Sequence, residues 1–202
     1  MNSESEAPRS GRPLTFDRAE ALGRLMSLFW RIGFDGVTQQ QMATVTGLST
    51  SSLYNSFGTK AEIYREAMSE YLRRMQFVLD PLERGNRGRE DVLEMLARIE
   101  SVLRGPDGGF GCMATMAMSA PVDEEVARAT RRYRERLRAG FCAVAERSRG
   151  LGESAPEPAM LANVMTAAVL GTLTIARADA EGDELSAHVE ALRSFVNGWR
   201  QQ

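Results

Sequence analysis

Residues 38–64, TQQQMATVTGLSTSSLYNSFGTKAEIY, carry the start and stop signals of three consecutive short helices, and this punctuation constrains the fold more than any other feature of the chain. Thr38 and Gln41 form an S/T-x-x-E/Q capping box, and Thr59 and Glu62 form a second. Between them Gly47 is suited to the left-handed conformation that ends a helix, and Ser49 is placed to cap the next one. The spacing therefore predicts a helix-turn-helix. In its second helix, over about residues 50–57, Leu53 and Phe57 lie four apart on one face, which leaves Thr50, Ser51, Tyr54 and Asn55 to point elsewhere. Small polar side chains on such a face suit base edges and phosphates.

The rest of the chain reads as helix as well. Long stretches of 3.6-residue periodicity dominate, and no alternating β-branched run is bounded by hairpin turns. The expected fold is all-α: an N-terminal three-helix head with a helix-turn-helix, followed by a larger helical body. A first helix is predicted from an Asp17 cap to Ile32, with Leu22, Leu25, Met26, Phe29 and Trp30 on its buried stripe. A fourth, over 60–79, leaves the head and enters the body as the continuous element joining them. Pro81 and the glycines at 85–88 then break the chain. Further helices are predicted over 89–103, 112–119, 123–147, 159–178 and 185–199, with a glycine-rich loop at 105–111 and a linker at 150–158. Accordingly residues 1–13, polar and rich in Pro, Gly and Ser, form a disordered arm, 14–60 the DNA-binding head and 61–202 the body. Arg9 and Arg12 of the arm could enter a minor groove, or the arm could be a featureless tail.

With 202 residues, 43% of them hydrophobic, the chain can bury a sizeable core. The near-neutral total of 25 basic against 27 acidic residues conceals a polarity: residues 8–60 hold Arg9, Arg12, Arg18, Arg24, Arg31 and Lys60 against Asp17, Glu20 and Asp35, an excess of three positives. A DNA-facing head needs that local sign. Cys112 and Cys142, with no signal peptide ahead of them, fit a reducing cytosol and a cytoplasmic protein. Residues 159–178 approach the length of a membrane span, but Asn163, Thr166, Thr172, Thr174 and Arg177 interrupt them, and the expectation is the central helix of a bundle, with no membrane partner. Catalytic residues, metal ligands and cofactors are not expected: His188 is the sole histidine, and no nucleophile elbow, ligand cluster or phosphate loop is present.

The 38–63 stretch resembles the DNA-binding head of the TetR/AcrR family of transcriptional regulators, whose pattern is T-x-x-x-I-A-x-x-x-G-[VL]-S-x-x-x-[LI]-Y-x-x-F-x-x-K-x-x-[LI]. The match runs through Thr38, Met42, Ala43, Gly47, Leu48, Ser49, Leu53, Tyr54, Phe57, Lys60 and Ile63, with Met42 in place of the common Ile and Ser56 where many members carry His. The resemblance implies a DNA-binding regulator, in most members a repressor, that grips a palindromic double-stranded operator as a homodimer and lets go when a small-molecule effector enters the body. Helices 159–178 and 185–199, which carry more apolar surface than one small body can cover, would pair with their copies. The expected DNA-binding residues are Thr38, Gln39 and Gln40 at one helix start and Lys60 at another, where free amides meet phosphate, Tyr54 on phosphate, Thr50, Ser51 and Asn55 toward base edges, and the capping Ser49 beside them.

Met75, Met95, Phe110, Met113, Met116, Phe141 and Met165 are candidates to line an effector pocket, although core packing explains such residues equally well. Cys112 follows a glycine loop and opens a helix, a position where unpaired amides lower a thiol pKa. A subset of the resembled family with a Gly-Cys step here senses oxidants or electrophiles, which makes Cys112 a redox candidate beside the alternative of an inert buried thiol. Cys142, mid-helix beside Phe141, is expected in the core.

Overall fold

The computed structural model describes residues 16–105, 110–178 and 183–199, and among them there are ten α-helices and no strand. The arm with Arg9 and Arg12, and loop residues 106–109, lie outside the described residues. The helices are α1 Arg18–Ile32, α2 Gln39–Thr46, α3 Thr50–Phe57, α4 Lys60–Arg74, α5 Gln76–Arg84, α6 Arg89–Leu103, α7 Met113–Ser119, α8 Glu124–Gly150, α9 Pro158–Ala178 and α10 Asp183–Asn197.

The head follows its local signals. The Asp17 carboxylate accepts from the Ala19 and Glu20 amides at 2.9 and 3.1 Å, and Gly33 at φ 84° ends α1. Both capping boxes close reciprocally, Thr38 with Gln41 and Thr59 with Glu62. Gly47 sits at φ 71°, ψ 13°, the left-handed turn between α2 and α3.

One expected helix divides. Residues 60–79 do not form a continuous rod, because the chain resets at Met75, whose amide bonds back to Tyr71 and Arg73 before α5 begins. Pro81 does not break the chain either and lies inside α5. A proline there strands the carbonyl four residues back. That carbonyl, on Phe77, accepts instead from the guanidinium of Arg98 on α6, so the defect is repaired across the helix pair.

In the body, α8 and α9 pack along each other more extensively than any other pair, with α5, α6, α7 and α10 around them. The buried side chains of head and body form one hydrophobic cluster, and α4 lies along α1. Helix α9, with a mean hydropathy of 1.7, is long and apolar enough to cross a membrane by composition alone. Here Leu161, Ala162, Met165, Val169, Leu173 and Ala176 on one of its sides are buried in the body.

Candidate nucleic-acid interface

Leu53 and Phe57 anchor α3, and Met42 anchors α2, in a core with Leu25 and Phe29 of α1 and Ile63 of α4. Seating these apolar residues turns Thr38, Gln39, Gln40, Thr50, Ser51 and Asn55 outward, all exposed. Two open helix starts, those of α2 and α4, therefore flank the polar face of α3. Ser49 is also exposed, but its hydroxyl caps α3 by accepting from the Ser52 amide at 3.1 Å, and it bonds the Ser51 and Ser52 hydroxyls at 3.0 and 2.8 Å. Tyr54 is half-buried against the core, which limits its reach to its phenolic edge.

Lys60 is held rather than loose. Its ammonium lies 4.5 Å from the centroid of the Phe34 ring, a cation–π contact. Phe34 in turn meets Tyr64 edge-on at 5.2 Å and stacks near Phe29 at 6.4 Å. Burial, aided by the nearby Asp35 charge, pushes the Tyr64 hydroxyl up to about 12, so this support stays neutral. The positive charge is thereby fixed at the N-terminus of α4, where the helix dipole has the same sign.

The charge count of the head needs correction. Arg18 donates to both Glu66 oxygens at 2.7 Å and lies 4.5 Å over the Phe57 ring, clamping α1 to α3 and α4. Arg24 pairs with Glu20 at 2.6 Å and donates to the Val45 carbonyl at 3.2 Å, closing the end of α2. Two of the head's cations thus serve its own packing. Arg31 does line a cleft of about 410 Å³ with Thr38, Gln40 and Thr44, beside the predicted phosphate contacts. No apolar period marks Arg18 or Arg24 in the sequence, and counting signs alone could not separate them from Arg31.

In the body, Met95, Met113, Phe141 and Met165 are fully buried, while Met75, Phe110 and Met116 are partly covered. None of the described cavities is lined by any of these seven. The described clefts lie on the head, beside α7 and α8, and at the seam between head and body. One seam cleft, about 320 Å³, is lined by Leu22, Arg65, Glu70, Arg73 and Glu125. Across that seam Arg65 of α4 pairs with Glu125 at 2.9 Å and Asp123 at 3.5 Å, both at the start of α8.

Cys112 sits before α7 as expected, and its side chain is buried. Burial pushes its pKa up and outweighs the lowering by the Tyr71 hydroxyl, which donates to Sγ at 3.2 Å, and by the amides of Ala114 and Thr115. The local effect of a helix start loses here to desolvation. Cys142 is only half-buried, 4.0 Å from a Glu146 oxygen, and not in the closed core.

No family model matches the chain. An uncharacterized HTH-type transcriptional regulator of Bacillus subtilis, YezE, is 27% identical over 193 residues, spanning 93% of this chain and all of that one. The HTH-type transcriptional repressor ComR of Escherichia coli is 34% identical over 64 residues, 32% of this chain and 30% of ComR. Among solved structures, the TetR family regulator CifR, a cysteine mutant complexed with 26 bp double-strand operator DNA, is 26% identical at a TM-score of 0.74, covering 94% of this chain and all of its own. The reduced form of E. coli NemR shares the fold at 18% identity and a TM-score of 0.73, covering 92% of this chain and 97% of its own.

Proposed function

We propose that this chain, a DNA-binding transcriptional regulator of the TetR type, acts as a cytoplasmic homodimeric repressor that occupies a palindromic operator and leaves it when a small-molecule effector binds. The observation that carries the reading is the face formed by Thr38, Gln39, Gln40, Ser49, Thr50, Ser51, Tyr54, Asn55 and Lys60, exposed except for the half-buried Tyr54 and Lys60 and backed by the core of the head. Residues 14–60 are its reading unit and 61–202 its sensing and pairing unit. The fold neighbour CifR binds operator DNA, which supports the same use of the corresponding face. Thr38, Gln39, Gln40, Tyr54 and Lys60 take phosphates and set register, and Thr50, Ser51 and Asn55 address base edges.

A dimer suits both ends of the molecule. Along α9 the residues Met160, Val164, Ala167, Gly171 and Thr174 recur at intervals of three and four and are exposed. A Cβ built on Gly171 meets nothing within 4 Å, so the chain's own fold does not demand glycine there, whereas the close approach of a partner helix would. On α10, Ala187, Ala191 and Phe195 are exposed as well. Pairing helices 159–178 and 185–199 with their copies covers this surface and sets two heads about 34 Å apart, the repeat of the major groove. An effector among Met75, Met95, Phe110, Met113, Met116, Phe141 and Met165 acts only by binding the two head spacings with different affinity.

Selection of bound duplexes from a random pool, followed by titration at rising salt, tests the reading: a palindrome should emerge and its affinity should fall steeply with salt. Failure to retain any duplex at low ionic strength overturns it. A second reading places the signal on the Cys112 thiol. It is favoured by the Tyr71 hydroxyl at 3.2 Å, and by neighbours whose structures concern a reduced form and cysteine mutants. Thiol alkylation that abolishes operator binding in the wild type and spares Cys112→Ser would select it over reversible effector binding.

A further inference from the structure

Arg177, in the last turn of α9, crosses from the body to the head. Its Nη1 donates to the carbonyls of Trp30 and Phe110, each at 3.0 Å, and its Nη2 donates to the carbonyl of Arg31 at 2.9 Å. Trp30 and Arg31 are in the final turn of α1, where carbonyls have no partner within the helix. The preceding carbonyl, of Phe29, is already taken by the Gly33 amide at 2.8 Å. A guanidinium from the far end of the sequence therefore completes the C-terminal cap of the first head helix, at the negative end of its dipole.

The same fork holds the strand of chain that enters α7. Phe110 gives Arg177 its carbonyl, and the next residue, Gly111, accepts from the Trp30 indole Nε1 at 3.0 Å. Gly111 has φ 66°, and a Cβ on it would fall 2.5 Å from the Leu173 carbonyl and 3.0 Å from the Arg177 Cβ, so this backbone lies directly on α9. Trp30 meets Tyr71 of α4 edge-on at 5.1 Å, and Tyr71 bonds Cys112. One guanidinium thus ties α1 of the head, the entry to α7 and α9 of the proposed dimer surface into a single joint.

We infer that Arg177 is a positioning residue for DNA reading: by capping α1 from α9 it sets the angle of the head on the body, and so the spacing of the two heads in the dimer. The inference rests on the operator reading above and adds to it a second tie between head and body besides α4. Motion of α9 or of the 110–111 backbone on effector binding would reach the head through it without passing along α4.

The experiment uses full-length protein with Trp199→Phe, leaving Trp30 as the sole indole, and compares Arg177→Ala and Arg177→Lys with Leu96→Ala, a core truncation remote from the joint. Expected for Arg177→Ala are a red-shifted, more quenchable Trp30 emission, a dimer retained in sedimentation, and about tenfold weaker binding to the selected operator. Its preference for that operator over versions with one base pair inserted or deleted between half-sites should flatten. Lysine, with charge but no fork, should fall between, and it is read in place of alanine if the alanine variant does not fold. Leu96→Ala should lower the melting temperature and keep the spacing preference. An unchanged spacing preference and Trp30 emission in the Arg177 variants, or equal flattening in Leu96→Ala, overturns the inference while the operator reading stands. Absence of duplex binding by the parent protein defeats the operator reading and the spacing role together, whereas the Trp30 signal still reports the joint.

Discussion

Val164→Asp offers the sharpest test of the proposed pairing surface. Val164 is 47% exposed in the single chain, beside Met160 at 60% and, on α10, Phe195 at 43%. Fully burying such side chains is worth ~2 kcal/mol each, and only the exposed fractions remain to be gained on association. The three together supply ~3 kcal/mol per protomer, or ~6 kcal/mol for a twofold pair. Aspartate at 164 forfeits ~1 kcal/mol of this per protomer and adds at least ~1 kcal/mol for desolvating a carboxylate. By symmetry the loss appears twice, ~4 kcal/mol in all, which raises the dimer dissociation constant about a thousandfold. Valine and aspartate have nearly the same helix propensity, so each protomer should keep its helical content. Sedimentation velocity over a concentration series, with operator binding measured on the same samples, reads the result. A wild-type-like dimer in Val164→Asp, or wild-type protein that is monomeric at tens of micromolar, would refute the assignment of α9 and α10 as the interface.

Lys60→Ala should weaken binding to all duplexes alike and reduce the salt slope by about one, while Asn55→Ala should relax preference at one base pair per half-site, costing ~1–3 kcal/mol of discrimination there. Binding curves on the operator and its single-base variants check both, and no change in either would displace α3 as the reading helix. Leu53→Ala, at a fully buried position, should destabilise the protein by ~3 kcal/mol in denaturant unfolding with loss of operator binding; a midpoint within error of wild type would contradict its anchoring role. Hydrogen bonds from Arg73, with those from Arg74, hold the Glu70 carboxylate down at about 2 against its ordinary 4.5. The lowered pKa means that its stabilising share is complete above 4.5 and is lost as pH falls toward 2. Because Arg73 is largely exposed, that share is kept to ~1 kcal/mol, and Glu70→Gln should remove it from the acid limb of a stability–pH curve.

What the sequence made legible was set by how local the cause is. The caps of α1, α2, α3 and α4 depend on side chains within three residues of the amides they serve, so Asp17, Thr38, Ser49 and Thr59 mark their helices without knowledge of the fold. The outward set on α3 followed from the same period, since Leu53 and Phe57 leave little choice of inner face. Pro81 lies within a helix rather than ending one because the group that rescues its orphaned Phe77 carbonyl is Arg98, on the neighbouring helix and outside any local pattern. At Cys112 a local and a distant cause oppose each other: the helix start and the Tyr71 hydroxyl lower the thiol pKa, while burial in the surrounding core, which no local pattern reveals, raises it. Polar groups whose partners are distant defeat pattern reading generally, and the arginines carry most of that burden here. Arg18, Arg24, Arg65, Arg98 and Arg177 each close a carbonyl or carboxylate on another element. Four are ordinary solvent-face positions by period, and Arg177 read as a flaw in an apolar helix. Its guanidinium instead joins α9, α1 and the entry to α7 through one side chain, and on the role inferred for it above a neutral substitution there should perturb the orientation of the head before it perturbs the core.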